Sequence, residues 1–252
     1  MGINLKSDPF SFQGYAMRSP ALSRTLKDMT ARPAFVPLFL LLVSILGYGL
    51  LIPWLHLYID DWIWFWTWEK FGAEGITRYF STNRPAWGLI YQATLPLFTQ
   101  TIVGSHVFAL LVRWFSGLAG WWLLRLLWPG QTRIALYGAL IFLVYPGFAL
   151  QPIALTYGHI FLIYTAFLIS LCYNLLALRH PKHDLLYTAV ACLLSLVNLV
   201  TLEFFFTLEL IRPVLLAVIA SEKGSRGRHL MAITTRHWLP YLAIFAAVMI
   251  WR

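Results

Sequence analysis

Long apolar runs separated by short polar segments make up most of this sequence. The runs occupy residues 34–57, 106–127, 134–150, 157–178, 185–201, 204–220 and the stretch from Trp238 onward. Because a helix of about 20 apolar residues crosses the hydrocarbon core of a bilayer, this pattern predicts membrane-spanning helices. The sequence carries no alternating strand pattern of the kind found in membrane barrels. We therefore expect an all-α membrane protein with about seven transmembrane helices.

The composition supports the same class. Hydrophobic residues make up 60% of the 252 residues, charged residues make up only 12%, and the mean hydropathy is +0.69. This leaves too little polar surface for a soluble globule. Both cysteines, Cys172 and Cys192, fall inside apolar runs, which argues against a disulfide framework.

The net charge of +9 is concentrated beside the ends of the apolar runs. If residues 85–98 form a surface helix and 106–127 form the next span, thirteen of the nineteen Lys and Arg residues fall on one side of the membrane. They are Lys6, Arg18, Arg24, Lys27, Arg32, Arg125, Arg133, Arg179, Lys182, Lys223, Arg226, Arg228 and Arg236. Basic residues favour the cytoplasmic side, so the count predicts a cytoplasmic tail over 1–33 and one transmembrane domain over 34–252. We expect a lipid bilayer, and no nucleic acid, as partner.

The candidate chemistry lies in the predicted external loop 58–104. Asp60 and Asp61 follow the first span directly, four tryptophans lie between 62 and 68, and Arg84 precedes Pro85. A carboxylate at the interface can act as a general base, and a guanidinium can bind a phosphate in a forked geometry. Adjacent residues on a helix point about 100° apart, so only one of the two carboxylates can face a given atom. Asp60 and Asp61 are therefore candidate catalytic residues, and Arg84 is a candidate substrate-binding residue.

Structural roles compete with each of these assignments. An acidic residue at this point can cap the following helix, Arg84 can anchor the chain at the interface, and tryptophans are common in interfacial belts. Arg113 and Glu203 lie near the external ends of spans, where each can bind substrate or can be paired or solvated instead. Glu209 and Arg212, three residues apart on one predicted helix, are expected to pair with each other.

These residues resemble the GT-C superfamily of multi-spanning glycosyltransferases, which take a sugar from a polyprenyl-phosphate carrier. Tyr58-Ile59-Asp60-Asp61-Trp62 is similar to the acidic motif that follows the first span in that family. Arg84-Pro85-Ala86-Trp87 is similar to the Lys-Pro-Pro-Leu stretch that opens the second juxtamembrane helix of the aminoarabinose transferases, with arginine in place of lysine and without the second proline. The resemblance covers about residues 34–252 and implies two juxtamembrane helices in the first external loop.

The resemblance also implies a reaction. Asp60 or Asp61 would be the catalytic base, or a ligand of Mg²⁺ or Mn²⁺ in members that use a metal, and Arg84 would steady the phosphate leaving group. The sugar would pass to an external acceptor with inversion at the anomeric carbon. The expected location is a bacterial inner membrane, with this chain as the N-terminal seven-span module of a longer enzyme.

Two other functions remain open from the sequence. Ionisable residues within or beside spans, Arg113, Glu203, Glu209 and Arg212, can mark the path of a solute through a membrane transporter or lipid flippase. The chain can also be a non-catalytic fragment of a longer enzyme.

Overall fold

The computed structural model describes residues 34–98, 101–145 and 148–252, and all regular structure in these ranges is helical. In chain order, the α-helices are α1 (Phe35–Ser44), α2 (Asp61–Phe80), α3 (Pro85–Phe98), α4 (Ile102–Leu127), α5 (Thr132–Leu143), α6 (Ala154–Arg179), α7 (Asp184–Thr201), α8 (Phe204–Leu208), α9 (Ile211–Glu222) and α10 (Gly227–Trp251). A π-helical segment, Ile45–Gly49, and a 3₁₀ turn, Ile52–Trp54, extend α1, and a second 3₁₀ turn, Pro181–His183, precedes α7. The predicted cytoplasmic tail, 1–33, lies outside the described residues.

Six helical stretches in the described ranges are long and apolar enough to cross a bilayer. They are Phe35–Trp54, Ile102–Leu127, Ala154–Arg179, Pro181–Thr201, Phe204–Glu222 and Gly227–Trp251. These six helices are those of an all-α integral membrane protein, which is the class that the apolar runs predicted.

One of the seven predicted spans, 134–150, does not form a full helical crossing, so this prediction is wrong. α5 has 12 residues and ends at Leu143, so it reaches only about 18 Å at 1.5 Å per residue. The hydrocarbon core is about 30 Å thick, and this helix alone cannot cross it. The described residues therefore hold six helices of spanning length rather than about seven.

The path of the chain explains the position of this short helix. α4 and α6 run in the same direction: the rings of Phe108 and His159, near their first turns, are 5.1 Å apart, and the Arg179 side chain at the end of α6 donates to the Leu126 carbonyl at the end of α4. The segment between them, 128–153, must return from one end of the bundle to the other. It does so with α5 and a stretch that is not helical at 144–145 and 148–153.

The two ends of the bundle carry different groups. At one end, Asp61 contacts the start of α6, and the turn at Glu203 follows the end of α7. We call this the Asp60 end. At the other end, the side chains of Arg179 and Lys223 donate to carbonyl groups of the helix ends around them. We call this the basic end. The basic residues at 179–184 and 221–228, which the sequence predicted to be cytoplasmic, thus lie at the basic end, opposite Asp61.

α2 and α3 form a hairpin between the first two spans, in the loop 58–104 where the resemblance implied two helices. Pro85 is the first residue of α3, a position where the missing N–H costs no hydrogen bond within the helix. Gly88 lets the two helices come close, because a β-carbon there would lie 3.1 Å from the Phe80 β-carbon. Trp64 of α2 fills the interface, with its ring 4.9 Å from that of Phe80 and 5.8 Å from that of Tyr91.

Candidate functional site

Asp61 is fully buried and caps the start of α6. Its carboxylate accepts hydrogen bonds from the backbone N–H groups of Leu155 (3.1 Å) and Thr156 (2.9 Å) and from the Thr156 hydroxyl (3.0 Å). The first N–H groups of a helix have no partner within it and carry the positive end of its dipole, so a carboxylate stabilises them. Ile153, the residue that precedes α6, supplies no side-chain cap. Asp61 therefore takes the structural role that the sequence left open, but it caps α6 rather than α2.

The surroundings of Asp61 hold it in this place. The Trp64 indole N–H donates to the Thr156 hydroxyl at 2.9 Å, so that hydroxyl is fixed while it donates to Asp61. Burial raises the pKa of the Asp61 carboxyl, and the hydrogen bonds from Thr156 and Leu155 oppose this rise. Both carboxylate oxygens are occupied, which leaves Asp61 poorly placed to accept a proton from a substrate.

We expect Asp61→Asn to destabilise the fold by about 1–3 kcal/mol, the usual cost of an unsatisfied buried polar group. Asparagine can offer one oxygen to Thr156, but its amide then turns an N–H towards the N–H of Leu155. Chemical unfolding in detergent measures the loss. The matched control is Glu69→Gln, which neutralises an exposed acid on the same helix and should leave stability unchanged. Equal stability of both variants would contradict the capping role.

Asp60, in contrast, is exposed at the residue before α2, where its side chain forms no capping hydrogen bond. The preceding residue, Ile59, has a φ of 47°. A β-branched residue rarely adopts positive φ, and such strain persists only where the surrounding structure imposes it. After the turn at Ile59 the two acids have different surroundings: the Asp61 side chain is buried and the Asp60 side chain is exposed to solvent.

Arg84 and Glu203 are brought together by the fold, together with a residue that the sequence did not single out, Arg252. Arg84 lies 3.2 Å from Glu203 and Arg252 lies 3.0 Å from it. The side chains of Arg84 and Glu203 are 35% and 43% exposed to solvent. Partial burial acts to raise the pKa of Glu203, but its own backbone N–H and the two guanidinium groups bring it below the usual value. The contribution of this cluster to stability is therefore present at neutral pH and is lost as the pH falls through that lowered pKa.

α3 connects the acids to this cluster. The Tyr91 hydroxyl donates to the Leu155 carbonyl at 3.3 Å, beside the N–H groups that Asp61 caps. Burial raises the pKa of Tyr91 well above its usual value, and the charges of Asp61 and Asp60 raise it further. Arg84 precedes Tyr91 by two helical turns, about 10 Å along α3. The structure thus places Asp60, Asp61, Arg84 and Glu203 at the same end of the bundle.

An open groove of about 670 Å³ runs along α2 from Trp62, two residues after Asp60. α2 is kinked at Gly72, whose φ of 60° and ψ of −156° are accessible to glycine and unfavourable for other residues. The groove is lined by side chains from both sides of the kink: Trp62, Ile63, Trp66, Thr67, Phe71, Gly75, Arg78 and Tyr79. Two of the four tryptophans, Trp62 and Trp66, therefore line a groove, whereas Trp64 belongs to the core. A long apolar groove with a single cation suits the hydrocarbon part of an anionic lipid.

Arg113, a predicted substrate-binding residue, lies inside the bundle instead. It is 1% exposed, and its guanidinium donates to the carbonyl groups of Leu143 (2.9 Å) and Phe142 (3.3 Å). These are the last carbonyls of α5, which have no partner within their own helix and carry the negative end of its dipole. The guanidinium also lies 4.4 Å from the centre of the Phe148 ring. The geometry gives Arg113 a structural role: it caps a helix that ends within the bundle.

The candidate metal ligands Asp60 and Asp61 do not form a metal site by themselves. Asp61 already accepts three hydrogen bonds, and Mg²⁺ or Mn²⁺ requires several oxygen ligands. Among the described residues, no group of three or more His, Cys, Asp or Glu side chains is placed to hold a metal ion. Binding of Mg²⁺ or Mn²⁺ by Asp60 or Asp61 stays a prediction.

No protein-family model, curated protein sequence or solved structure matches this chain. Two contributors to the site, Thr156 and Arg252, were not found from the sequence. Thr156 is an ordinary residue just before an apolar run, and Arg252 follows the apolar stretch that begins at Trp238. Their roles arise from packing between segments far apart in the chain.

Proposed function

We propose that this protein is a glycosyltransferase that moves a sugar from a polyprenyl-phosphate carrier to an acceptor on the external side of the membrane. One observation carries the proposal: Asp60 and Arg84 stand at the starts of two successive helices between the first two spans, and both belong to the Asp60 end of the bundle. This order of span, acidic pair, helix, cation and helix is the one on which the resemblance to the GT-C superfamily was based.

Asp60 is the better of the two acids for the role of general base, because it is exposed while Asp61 is committed to capping α6. In the proposed reaction, an acceptor hydroxyl attacks the anomeric carbon from the side opposite the phosphate. A new carbon–oxygen bond forms as the bond to the phosphate oxygen breaks, and its electron pair leaves with the phosphate. Asp60 takes the hydroxyl proton, and Asp61 positions the loop without reacting.

Arg84 would stabilise the departing phosphate. A partly exposed guanidinium can bind two phosphate oxygens at once and can meet the charge that grows on them as the bond breaks. The groove along α2 would hold the first isoprene units of the carrier, since its first lining residue, Trp62, is two positions after Asp60 and its lining is mainly apolar. Attack from the opposite side inverts the anomeric configuration.

Charge supports an external location for the proposed site. The groups at the basic end, among them Arg179 and Lys223, favour the cytoplasm, which is consistent with the opposite, Asp60 end on the external side. The membrane that we propose is a bacterial inner membrane. In this topology the chain before Phe35 lies in the cytoplasm.

A transporter is the second candidate, because the span from Phe204 to Glu222 is interrupted between α8 and α9 and carries the buried pair Glu209 and Arg212. The two functions differ in what happens to a labelled polyprenyl-phosphate sugar in proteoliposomes. We expect transfer or release of the sugar with formation of polyprenyl phosphate. Counterflow of intact substrate without bond cleavage would favour the transporter and contradict the proposal.

A further inference from the structure

The carboxylate of Glu203 lies between two guanidinium groups. Arg84 approaches both of its oxygens, with Nε 3.2 Å from one and a terminal nitrogen 3.2 Å from the other, and a terminal nitrogen of Arg252 lies 3.0 Å from the first. Two cations and one anion leave a net positive charge. The cluster therefore has more positive charge than its own carboxylate neutralises.

Other contacts hold the Arg252 guanidinium and the Arg84 backbone near these positions. Arg252 also donates to the carbonyl groups of Val200 (3.5 Å) and Thr201 (3.4 Å) at the end of α7, and its guanidinium lies 5.6 Å from the centre of the Phe206 ring. Arg84 is fixed by its backbone, whose N–H donates to the Phe80 carbonyl at 2.8 Å and whose carbonyl accepts from the first turn of α3. The Arg252 guanidinium thus keeps contacts that do not depend on Glu203, and the Arg84 side chain starts from a fixed backbone.

Glu203 is held less firmly. Its side chain retains 43% of its exposure, and ion pairs that are exposed to this degree contribute little to stability. The carboxylate can turn towards water at small cost, while a phosphate that took its place would offer more oxygens to the same two donors.

We propose that Arg84 and Arg252 form a phosphate-binding site in which the Glu203 carboxylate substitutes for the phosphate until a lipid phosphate displaces it. The inference rests on the proposed function for its choice of ligand, a polyprenyl phosphate. It adds Arg252 as a binding residue and assigns Glu203 the role of an internal competitor rather than of a substrate contact.

Equilibrium binding of farnesyl phosphate and of inorganic phosphate to the purified full chain in detergent tests this directly. Removing the competitor with Glu203→Gln should tighten farnesyl phosphate binding about tenfold or more, the effect of one charge-assisted hydrogen bond. Arg252→Gln should weaken binding by a similar factor, and Arg252→Lys, which keeps the charge but loses the planar fork, should weaken it less. Glu222→Gln and Arg228→Gln neutralise exposed groups at the basic end and should leave the dissociation constant unchanged.

Each other outcome overturns the proposal. Unchanged or weaker binding in Glu203→Gln would show that the carboxylate does not compete, and unchanged binding in Arg252→Gln would remove Arg252 from the site. Equal affinity for inorganic and farnesyl phosphate would exclude a lipid phosphate as the specific ligand. Because binding is measured without sugar transfer, a chain that binds but does not transfer would contradict the proposed function and leave this site standing. An unfolding curve recorded for each variant shows whether that variant is folded.

Discussion

Asp60→Asn is expected to lower the rate of sugar transfer by about 100-fold to 10,000-fold, the range that a general base contributes. The amide has nearly the shape of the acid but cannot take the acceptor proton. Because Asp60 is exposed and caps no helix, we expect the variant to fold with unchanged stability. The measurement is the initial rate at saturating donor, with the unfolding curve recorded on the same preparation.

The neighbouring acid and an exposed acid on the same helix serve as comparisons. Asp61→Asn should lose stability first, with any loss of rate following from the altered start of α6. Glu69→Gln should change neither quantity. Full transfer activity in Asp60→Asn, or a rate lost only in Asp61→Asn at unchanged stability, would reverse the roles assigned to the two carboxylates.

Arg212→Met is expected to destabilise the protein by about 3–5 kcal/mol, the cost of leaving one member of a buried ion pair without its partner. Arg212 is fully buried and binds both oxygens of Glu209, at 2.7 and 2.8 Å. The Ser195 hydroxyl donates to the same carboxylate at 2.6 Å, and the guanidinium lies 4.0 Å from the centre of the Tyr241 ring. The pair thus joins α9 to α7 and α10.

The double variant Arg212→Met, Glu209→Leu provides the control for this prediction. It removes both charges, so no buried charge is left unpaired, and stability should return most of the way towards that of the original protein. Denaturant titration in detergent micelles measures all three proteins. If the single variant unfolds at the same denaturant concentration as the original, the buried pair does not stabilise the bundle.

The sequence was sufficient to predict features that depend on local pattern. Apolar runs of about 20 residues located the six long helices, Pro85 marked the start of α3, and the spacing of Glu209 and Arg212 predicted their pairing. Each of these follows from residues that are close together in the chain. Local rules therefore gave the fold class and the start of α3, whereas the pair of helices in the loop 58–104 was implied by the resemblance to the GT-C superfamily.

The end of α5 shows where pattern alone failed. The apolar run continues to residue 150, but the helix stops at Leu143, and Pro146 in the sequence was a signal for this, since the residue before a proline disfavours the helical conformation. What allows the helix to end within the bundle is Arg113, 30 residues away in the chain. Apolarity indicates burial in lipid or protein, and it does not fix where a helix ends.

The candidate site depends still more on tertiary packing. Asp61 caps a helix that begins more than 90 residues later, and Arg252 reaches Glu203 only because α10 returns to the Asp60 end. The sequence could nominate Asp60, Asp61, Arg84 and Glu203 by residue type and position. It could not separate the buried acid from the exposed one, since both are adjacent aspartates with the same local neighbours.

The most direct measurement of the central claim is photolabelling with a polyprenyl-phosphate sugar that carries a diazirine near its phosphate. The account predicts that label enters residues 58–68, 81–90 and 200–206, at the Asp60 end, and that excess unmodified donor prevents it. Label in the segments 179–184 or 221–228 at the basic end, or label that unmodified donor does not compete away, would contradict the account.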